Sequence, residues 1–258
     1  WTEANYLTIG ASRQNRFKDM LRSFSYSVVD GAFIIPGEMA KRTLDLWKVH
    51  YQKLIYLPNL IDEEVFSLSA DYMKLRAVEE LPIFILPVRL IEKIKGVVNF
   101  FEAIGRENIY KGIFLIAGDG IDYEYYKKYI ELNDLDKHIY LLGFCDKYKM
   151  KELYEKANVM ILPSFSDPSP LSLIEGIKMK LPILVSERCG NHFETVIDGY
   201  NGYIFDPNRP NTVKNAFEEI LDRSEDWNEW GEHSVRLFKK NFEMNICLKR
   251  FVENMHTQ

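Results

Sequence analysis

The sequence predicts a doubly wound α/β fold, in which helices cover both faces of a parallel sheet. From residue 83 onward, short apolar runs alternate with helical patterns. The runs are continuous, as expected for strands buried on both faces, and the segments between them are long enough for helical crossovers. The predicted strands are residues 83–88, 113–117, 139–142, 159–162, 183–185 and 203–205. Two or three amphipathic helices follow Pro210 and are expected to pack against this sheet.

A second, incomplete unit is predicted upstream. Residues 28–35 and 54–57 have the pattern of strands, and residues 13–24 and 37–49 that of helices. Two strands do not form a stable sheet alone. A stretch rich in Asp, Glu and Ser precedes the first strand of the larger sheet, so we place the boundary near Phe66. This divides the chain into residues 1–65, a partial domain with its linker, and residues 66–258.

The composition excludes several functional classes. With 47% hydrophobic and 28% charged residues among 258, the chain is expected to fold, and its net charge of −5 argues against a nucleic-acid-binding surface. The widely spaced Cys145, Cys189 and Cys247 indicate neither a disulfide framework nor a zinc site. The longest apolar runs are far shorter than the roughly 20 residues that a membrane-spanning helix needs. A cytoplasmic protein fits best, and the first residue, Trp1, suggests a fragment.

The residues that follow the predicted strands are the candidates for chemistry, because ligands of open α/β sheets bind beyond the carboxyl ends of the strands. Arg89 and Lys95 follow the first strand. A guanidinium fork and an ammonium suit the two phosphates of a nucleoside diphosphate, although two basic residues are often merely solvated. The peptide N–H groups of Leu171 and Ser172, which open a predicted helix, would donate to the same phosphates.

A glycine pair, Gly118-Asp119-Gly120, follows the second predicted strand. The third glycine of a dinucleotide-binding G-x-G-x-x-G is missing, so no nicotinamide cofactor is expected. The pair indicates either a tight turn or a close approach of backbone to a ligand, and both alternatives stay open. Asp134 and Asp136 have the spacing of a metal-binding Asp-x-Asp pair, but they precede a strand instead of following one. No cluster of His, Cys and carboxylates has the spacing of metal ligands, so no metal is expected.

Two carboxylates form the remaining candidate. Asp167 lies before a predicted helix and Glu175 just past its first turn, so both can face one crevice and bind sugar hydroxyls. The alternative is that Asp167 caps the helix and that Glu175 is an exposed helix charge. The residues alone slightly favour this alternative.

In combination, these residues resemble the nucleotide-sugar domain of the glycogen-synthase-like class of retaining glycosyltransferases. This class is also called family 4 or glycosyl transferases group 1, and its GT-B fold has two facing Rossmann-like domains. The resemblance covers nearly the whole chain, and its ordered set of motifs is specific although no single member is. It is carried by Arg89 with Lys95-Gly96, the segment 114–120, Gly143, Pro163-Ser164, Asp167 with Glu175, Pro182, Gly190 with Glu194, and Gly199-Tyr200-Asn201-Gly202.

The resemblance implies roles for the residues that match. Arg89 and Lys95 would bind the diphosphate and assist catalysis, supported by the amides of Leu171 and Ser172. Glu175 would hold the ribose hydroxyls of the nucleotide. The site would therefore need no metal and no cofactor besides the donor.

The resemblance also implies a contact with the transferred sugar. Asp167 stands where the family usually has a Glu at this sugar, which makes it a candidate catalytic residue. The family's glycine-rich stretch after this position is Pro168-Ser169-Pro170 here. Ser169, Pro170 and Gly118 are expected to lie at the donor, and Phe144 is expected to line the pocket of the base.

The activity implied is transfer of a glycosyl unit from a UDP- or GDP-sugar to an acceptor hydroxyl, with retention of configuration. Synthesis of cell-surface polysaccharides or glycoconjugates is the expected setting, with a sugar or a lipid-linked acceptor. Two alternatives remain: a nucleotide-sugar-binding module without transferase activity, and a sugar-nucleotide epimerase of related fold.

The N-terminal segment resembles the last part of the family's acceptor-side domain. Within it, residues 13–24 combine basic residues with an apolar stripe at helical spacing. Such a helix either docks on an anionic membrane, at its inner face, or packs on its own sheet, and we favour packing.

Overall fold

The computed structural model describes residues 21, 24, 26, 32–76 and 80–256. Within these residues the chain forms one two-stranded and one six-stranded sheet, both parallel. Most of the helix predicted at 13–24, and residues 28–31 of the first predicted strand, lie outside the described residues.

The small sheet consists of β1 (Ala32–Ile35) and β2 (Lys53–Tyr56), joined by helix α1 (Glu38–Leu46). One face of α1 is buried, and its apolar side chains pack with those of β1 and of the turn after the helix. The resulting small core contains Phe33, Ile35, Ala40, Leu44, Trp47 and Val49.

The large sheet has the strand order β5-β4-β3-β6-β7-β8. Its strands are β3 (Ile83–Pro87), β4 (Ile113–Ala117), β5 (Ile139–Gly143), β6 (Val159–Leu162), β7 (Ile183–Ser186) and β8 (Gly202–Phe205). Each strand agrees with its predicted counterpart to within one residue. The predicted class, a doubly wound parallel α/β sheet, is confirmed.

Helices cover both faces of the large sheet. They are α2 (Tyr72–Arg76), α3 (Glu92–Lys95), α4 (Val97–Ile104), α5 (Arg106–Ile109), α6 (Tyr123–Leu132), α7 (Lys147–Lys156), α8 (Leu171–Lys178), α9 (His192–Thr195), α10 (Pro210–Asp222), α11 (Trp227–Asn241) and α12 (Met244–His256). The three helices after residue 209 confirm the amphipathic helices predicted there. The last of them, α12, packs against β2 and so joins the large unit to the small sheet.

The order of the strands creates a crevice. The chain builds β3, β4 and β5 toward one edge and then returns to place β6 on the other side of β3. At such a switch point the loops after the two central strands leave in opposite directions, which opens a ligand-binding crevice at their carboxyl ends. The loops after β3 and β6 therefore border the candidate site.

Arg76 fastens the segment between the two units to the large one. Its Nη2 donates to the carbonyl oxygens of Met179 (2.7 Å) and Tyr154 (3.3 Å), and its Nη1 donates to that of Lys180 (3.0 Å). These carbonyls lie at the C-terminal ends of α7 and α8, where helix dipoles favour a cation. Burial lowers the pKa of this guanidinium to about 10, so it remains charged at neutral pH.

We expect Arg76→Met to lower the free energy of unfolding by about 2–4 kcal/mol, because three helix-end carbonyls lose a charged donor while the volume is nearly kept. Denaturant unfolding measures this. Lys74→Met is the control, since Lys74 lies on the same helix with 84% of its side chain exposed and should change stability by less than about 0.5 kcal/mol. Equal losses of unfolding free energy in the two variants would contradict a stabilising role of the Arg76 hydrogen bonds.

Candidate functional site

The loops after β3 and β6 are joined backbone to backbone at the switch point. The carbonyl oxygen of Ile94 accepts from the N–H groups of Phe165 (2.8 Å) and Ser166 (3.2 Å). Arg89, which follows β3, is exposed at this edge. No ion pair among the described residues includes Arg89, so its charge is available to a ligand.

Lys95 and Asp167 meet across these loops. Lys95 Nζ forms an ion pair with Asp167 Oδ2, and only 16% and 15% of the two side chains are exposed. The sequence places both residues at the crevice but does not reveal that they pair. A donor diphosphate would therefore meet Lys95 already in contact with the carboxylate that is predicted to face the sugar.

The loop that carries Lys95 is held by Glu92, which sequence reasoning missed. The Glu92 carboxylate accepts from the N–H groups of Val98 (3.1 Å) and Asn99 (3.0 Å), at the start of α4, and from the hydroxyl of Tyr126 (2.7 Å). In turn, the Glu92 N–H donates to Asp122 Oδ2 (2.7 Å). Glu92 lies outside the spacing of a capping box, so no sequence signal points to it.

The glycine pair after β4 lets two loops approach closely. A methyl group on Gly118 would overlap the carbonyl oxygen of Val88 and lie 2.8 Å from its carbonyl carbon. One on Gly120 would overlap the carbonyl oxygen of Leu90 and lie 2.7 Å from its carbonyl carbon. These contacts flank Arg89, so the glycines seat the Arg89 loop. The role of Gly118 at the donor stays a prediction.

The approach to α8 is fixed from two sides. Ser169 Oγ accepts from Asn59 Nδ2 (3.2 Å), which lies on the segment after β2. The carbonyl oxygen of Pro170 accepts from Asn191 Nδ2 (3.0 Å), which lies after β7. Helix α8 begins at Leu171, and Pro170 before it offers no capping side chain. The first amides of α8 thus face the edge that carries Arg89.

The Glu175 carboxyl group is partly buried. Its Oε2 accepts from the hydroxyl of the fully buried Tyr154 (2.7 Å). Burial raises the pKa of Glu175, and the Tyr154 hydrogen bond partly offsets that rise. The alternative prediction was that Asp167 caps the helix and that Glu175 is an exposed charge. Both parts are wrong, because Asp167 pairs with Lys95 and Glu175 is not exposed.

Phe144 follows β5, two strands away from β3 at the same edge of the sheet. Its side chain is 81% exposed, so one face of the ring is available for stacking. Neighbouring strands lie about 5 Å apart, which places the end of β5 roughly 10 Å from that of β3. That separation suits a base and a phosphate at opposite ends of one nucleotide.

Glu194 connects α9 to helix α1, and the sequence analysis assigned it no individual role. Its Oε1 accepts from the N–H of Glu38 (2.7 Å), the first residue of α1. Its Oε2 is buried, and no described residue donates to it. Burial raises the pKa of Glu194 to about 7. Arg42 on α1 stacks over the ring of Phe193, 4.2 Å from its centroid, and strengthens the same contact.

Two further searches covered the described part of the chain. No group of three or more His, Cys, Asp or Glu side chains there is arranged to hold a metal ion. None of the helices in 32–76 and 80–256 is both long enough and apolar enough to cross a bilayer.

Similar proteins were found by sequence. The family model of glycosyl transferases group 1 matches residues 71–236. A protein described as an uncharacterized glycosyltransferase of Methanocaldococcus jannaschii is 30% identical over 135 residues, or 52% of this chain and 38% of the relative. The alpha-monoglucosyldiacylglycerol synthase of Acholeplasma laidlawii is 30% identical over 161 residues, or 60% of this chain and 38% of the relative. The chain thus spans about two fifths of the length of these relatives.

Solved structures share the fold. Sucrose-phosphate synthase of Thermosynechococcus elongatus superposes with a TM-score of 0.81 at 17% identity, over 97% of this chain and 65% of that one. Anabaena HepE in complex with UDP and glucose superposes with a TM-score of 0.78 at 15% identity, over 98% and 70%. The family model covers more than half of the residues, and the predicted fold is the one observed. The chain belongs to the glycosyl transferases group 1.

Proposed function

We propose that the chain is the donor-binding part of a retaining glycosyltransferase that moves a sugar from a nucleoside-diphosphate sugar to an acceptor hydroxyl. One observation carries the proposal: at the switch point, an exposed Arg89 and the first amides of α8 lie at the same edge as the partly buried carboxyl of Glu175. A guanidinium and helix N-terminal amides are suited to binding phosphates, and a carboxylate is suited to binding ribose hydroxyls.

The chemistry follows from the charges. Arg89, Lys95 and the amides of Leu171 and Ser172 would stabilise the negative charge that develops on the departing diphosphate. Asp167, held by Lys95, would face the transferred sugar. The departing phosphate would take the proton of the acceptor hydroxyl on the same face of the sugar, so the configuration is retained without a protein nucleophile.

The remaining assignments rest on similar proteins. Anabaena HepE was solved with UDP and glucose, which makes a UDP-sugar the first donor to test, ahead of a GDP-sugar. Relatives from Acholeplasma laidlawii and Streptococcus pneumoniae are named as diacylglycerol glycolipid synthases. We therefore propose a sugar or lipid-linked acceptor, with peripheral contact at the inner face of the membrane. Residues 1–65 would supply part of the acceptor side and residues 66–258 the donor side.

The test is calorimetric titration of the chain with UDP, GDP and ADP, first without metal and then with magnesium. We expect one of the three to bind without metal. Arg89→Ala should weaken that binding on the order of 10- to 100-fold, because a charged hydrogen bond to phosphate is lost. Full-length protein with the donor sugar and candidate acceptors then separates a transferase from a binding module.

Arg106→Ala is the matched control. Arg106 is also exposed but lies on α5, which leads into β4 at the opposite edge of the sheet. Its replacement should leave the nucleotide affinity within about 2-fold of the unchanged chain, since distant exposed charges are screened. A chain that binds none of the nucleotides, or an Arg89→Ala variant that binds as well as the Arg106→Ala variant, would contradict the proposal.

A further inference from the structure

Tyr154 lies directly behind the carboxyl group of Glu175. It occupies the last turns of α7, and its ring is completely buried. Its hydroxyl donates to Glu175 Oε2 at 2.7 Å. One oxygen of the carboxyl is thus engaged inside the protein, which leaves Oε1 for other donors. An ionised carboxylate only accepts hydrogen bonds, and the two ribose hydroxyls can both donate to such an acceptor.

The surroundings of Tyr154 fix the position of its ring. The ring of Phe66 lies 6.0 Å from that of Tyr154, tilted by 54°. The Tyr154 carbonyl oxygen accepts from Arg76 Nη2, and the neighbouring Glu155 Oε1 accepts from the N–H of Ser69 (2.7 Å). The segment 66–76 therefore holds the end of α7 and one side of the Tyr154 ring, so the phenolic oxygen stays beside Glu175.

We propose that Tyr154 is a positioning residue for ribose recognition. By holding Oε2 of Glu175, it turns Oε1 toward the ribose hydroxyls of the donor. The inference rests on the proposed function, because it takes Glu175 as the group that binds the ribose.

The first test compares a ribonucleoside diphosphate with its 2′-deoxy and 3′-deoxy counterparts. We expect the unchanged chain to bind UDP, or whichever of the three nucleotides binds, on the order of 10-fold more tightly than the weaker deoxy form. In Tyr154→Phe this ratio should fall to within about 3-fold, because the carboxylate loses its fixed orientation.

Tyr126→Phe is the matched control for this change. The Tyr126 hydroxyl also donates to a carboxylate oxygen at 2.7 Å, that of Glu92, and Tyr126 is 1% exposed. The substitution is chemically identical, yet it lies under the loop that carries Lys95 instead of under Glu175. Overall affinity is expected to change, whereas the preference for the ribonucleotide should stay at its original value.

A second variant tests the same idea from the other partner. The amide of Glu175→Gln has one accepting and one donating end. If the Tyr154 hydroxyl donates to it, the amide oxygen faces Tyr154 and the NH₂ group faces the ribose, so the ribose preference should fall as in Tyr154→Phe. An amide that Tyr154 does not orient would turn its oxygen to the ribose and keep the preference.

The outcomes separate the two proposals. If either variant folds, as judged by its melting transition, and keeps the full ribose preference, the role of Tyr154 is overturned while the donor site stands. If the unchanged chain binds no nucleoside diphosphate, the proposed function fails and the role of Tyr154 fails with it. If it binds ribo and deoxy forms equally, Glu175 is not the ribose ligand and only this inference is lost.

Discussion

Gly202→Ala is expected to destabilise the chain by on the order of 3 kcal/mol or more, with loss of the β7–β8 pairing. Gly202 lies opposite Ile183 in the parallel ladder. A methyl group there would overlap the carbonyl oxygen of Ile183 and lie 2.7 Å from its carbonyl carbon and 2.9 Å from its nitrogen. Backbone atoms of a ladder cannot rotate away as a side chain can, so the strands must separate. Denaturant unfolding followed by circular dichroism measures the loss.

Gly199→Ala provides the control, three residues away in the same turn. Gly199 has φ of 70°, and a methyl group there would meet nothing within 4 Å. This variant bears only the strain of a left-handed residue, about 1–2 kcal/mol. If both alanine variants lose the same unfolding free energy, backbone strain in the turn would explain the loss, and a collision with β7 would not.

Glu194→Gln is expected to flatten the pH dependence of stability between about pH 4.5 and 8. Burial raises the pKa of Glu194 from 4.5 to about 7 in the folded chain. A raised folded pKa means that the contribution of Glu194 is fully present below the unfolded pKa and is lost as pH rises through 7. The loss amounts to about 3.5 kcal/mol, since each pKa unit corresponds to about 1.4 kcal/mol. The variant should therefore be the more stable chain at pH 8.

Unfolding curves at several pH values check this expectation. The amide oxygen of the variant can still accept from the N–H of Glu38, so the contact with α1 is retained. Glu124→Gln on α6 serves as control, because Glu124 is exposed and should leave the pH profile unchanged. Parallel pH profiles for the unchanged chain and Glu194→Gln would show that the Glu194 carboxyl titrates as it does in water.

The large sheet was predictable because its strands are buried on both faces. The run Val159–Leu162 consists of four buried apolar residues, and β4 matches its prediction at both ends. The segment after β2 was harder, since the helix α2 has only five residues and none of them is buried. Its position depends on hydrogen bonds from Arg76 to residues about 80 and 100 positions away, which no local pattern contains.

The candidate site was predicted only in part, for a similar reason. Residues after strands can be found by position, and the structure places Arg89 and Lys95 after β3 as the sequence predicts, while their roles at a ligand stay predictions. The hydrogen-bond partners of such residues cannot be found by position. Tyr154, for example, precedes Glu175 by 21 positions and belongs to another helix. The prediction that Asp167 caps the helix was also wrong, because the two prolines that follow it delay the start of α8 until Leu171.

If the crevice binds the donor as proposed, the pairing of Lys95 with Asp167 would give it a selectivity that lysines without a carboxylate partner would lack. A lone inorganic anion has to compete for Lys95 with a carboxylate that is already in place and largely shielded from water. Under the proposed function, a diphosphate would engage Arg89 and Lys95 together, and its attached sugar would offer hydroxyl donors to the aspartate at the same moment. The site would then discriminate against simple anions and favour a molecule that carries both halves of the donor.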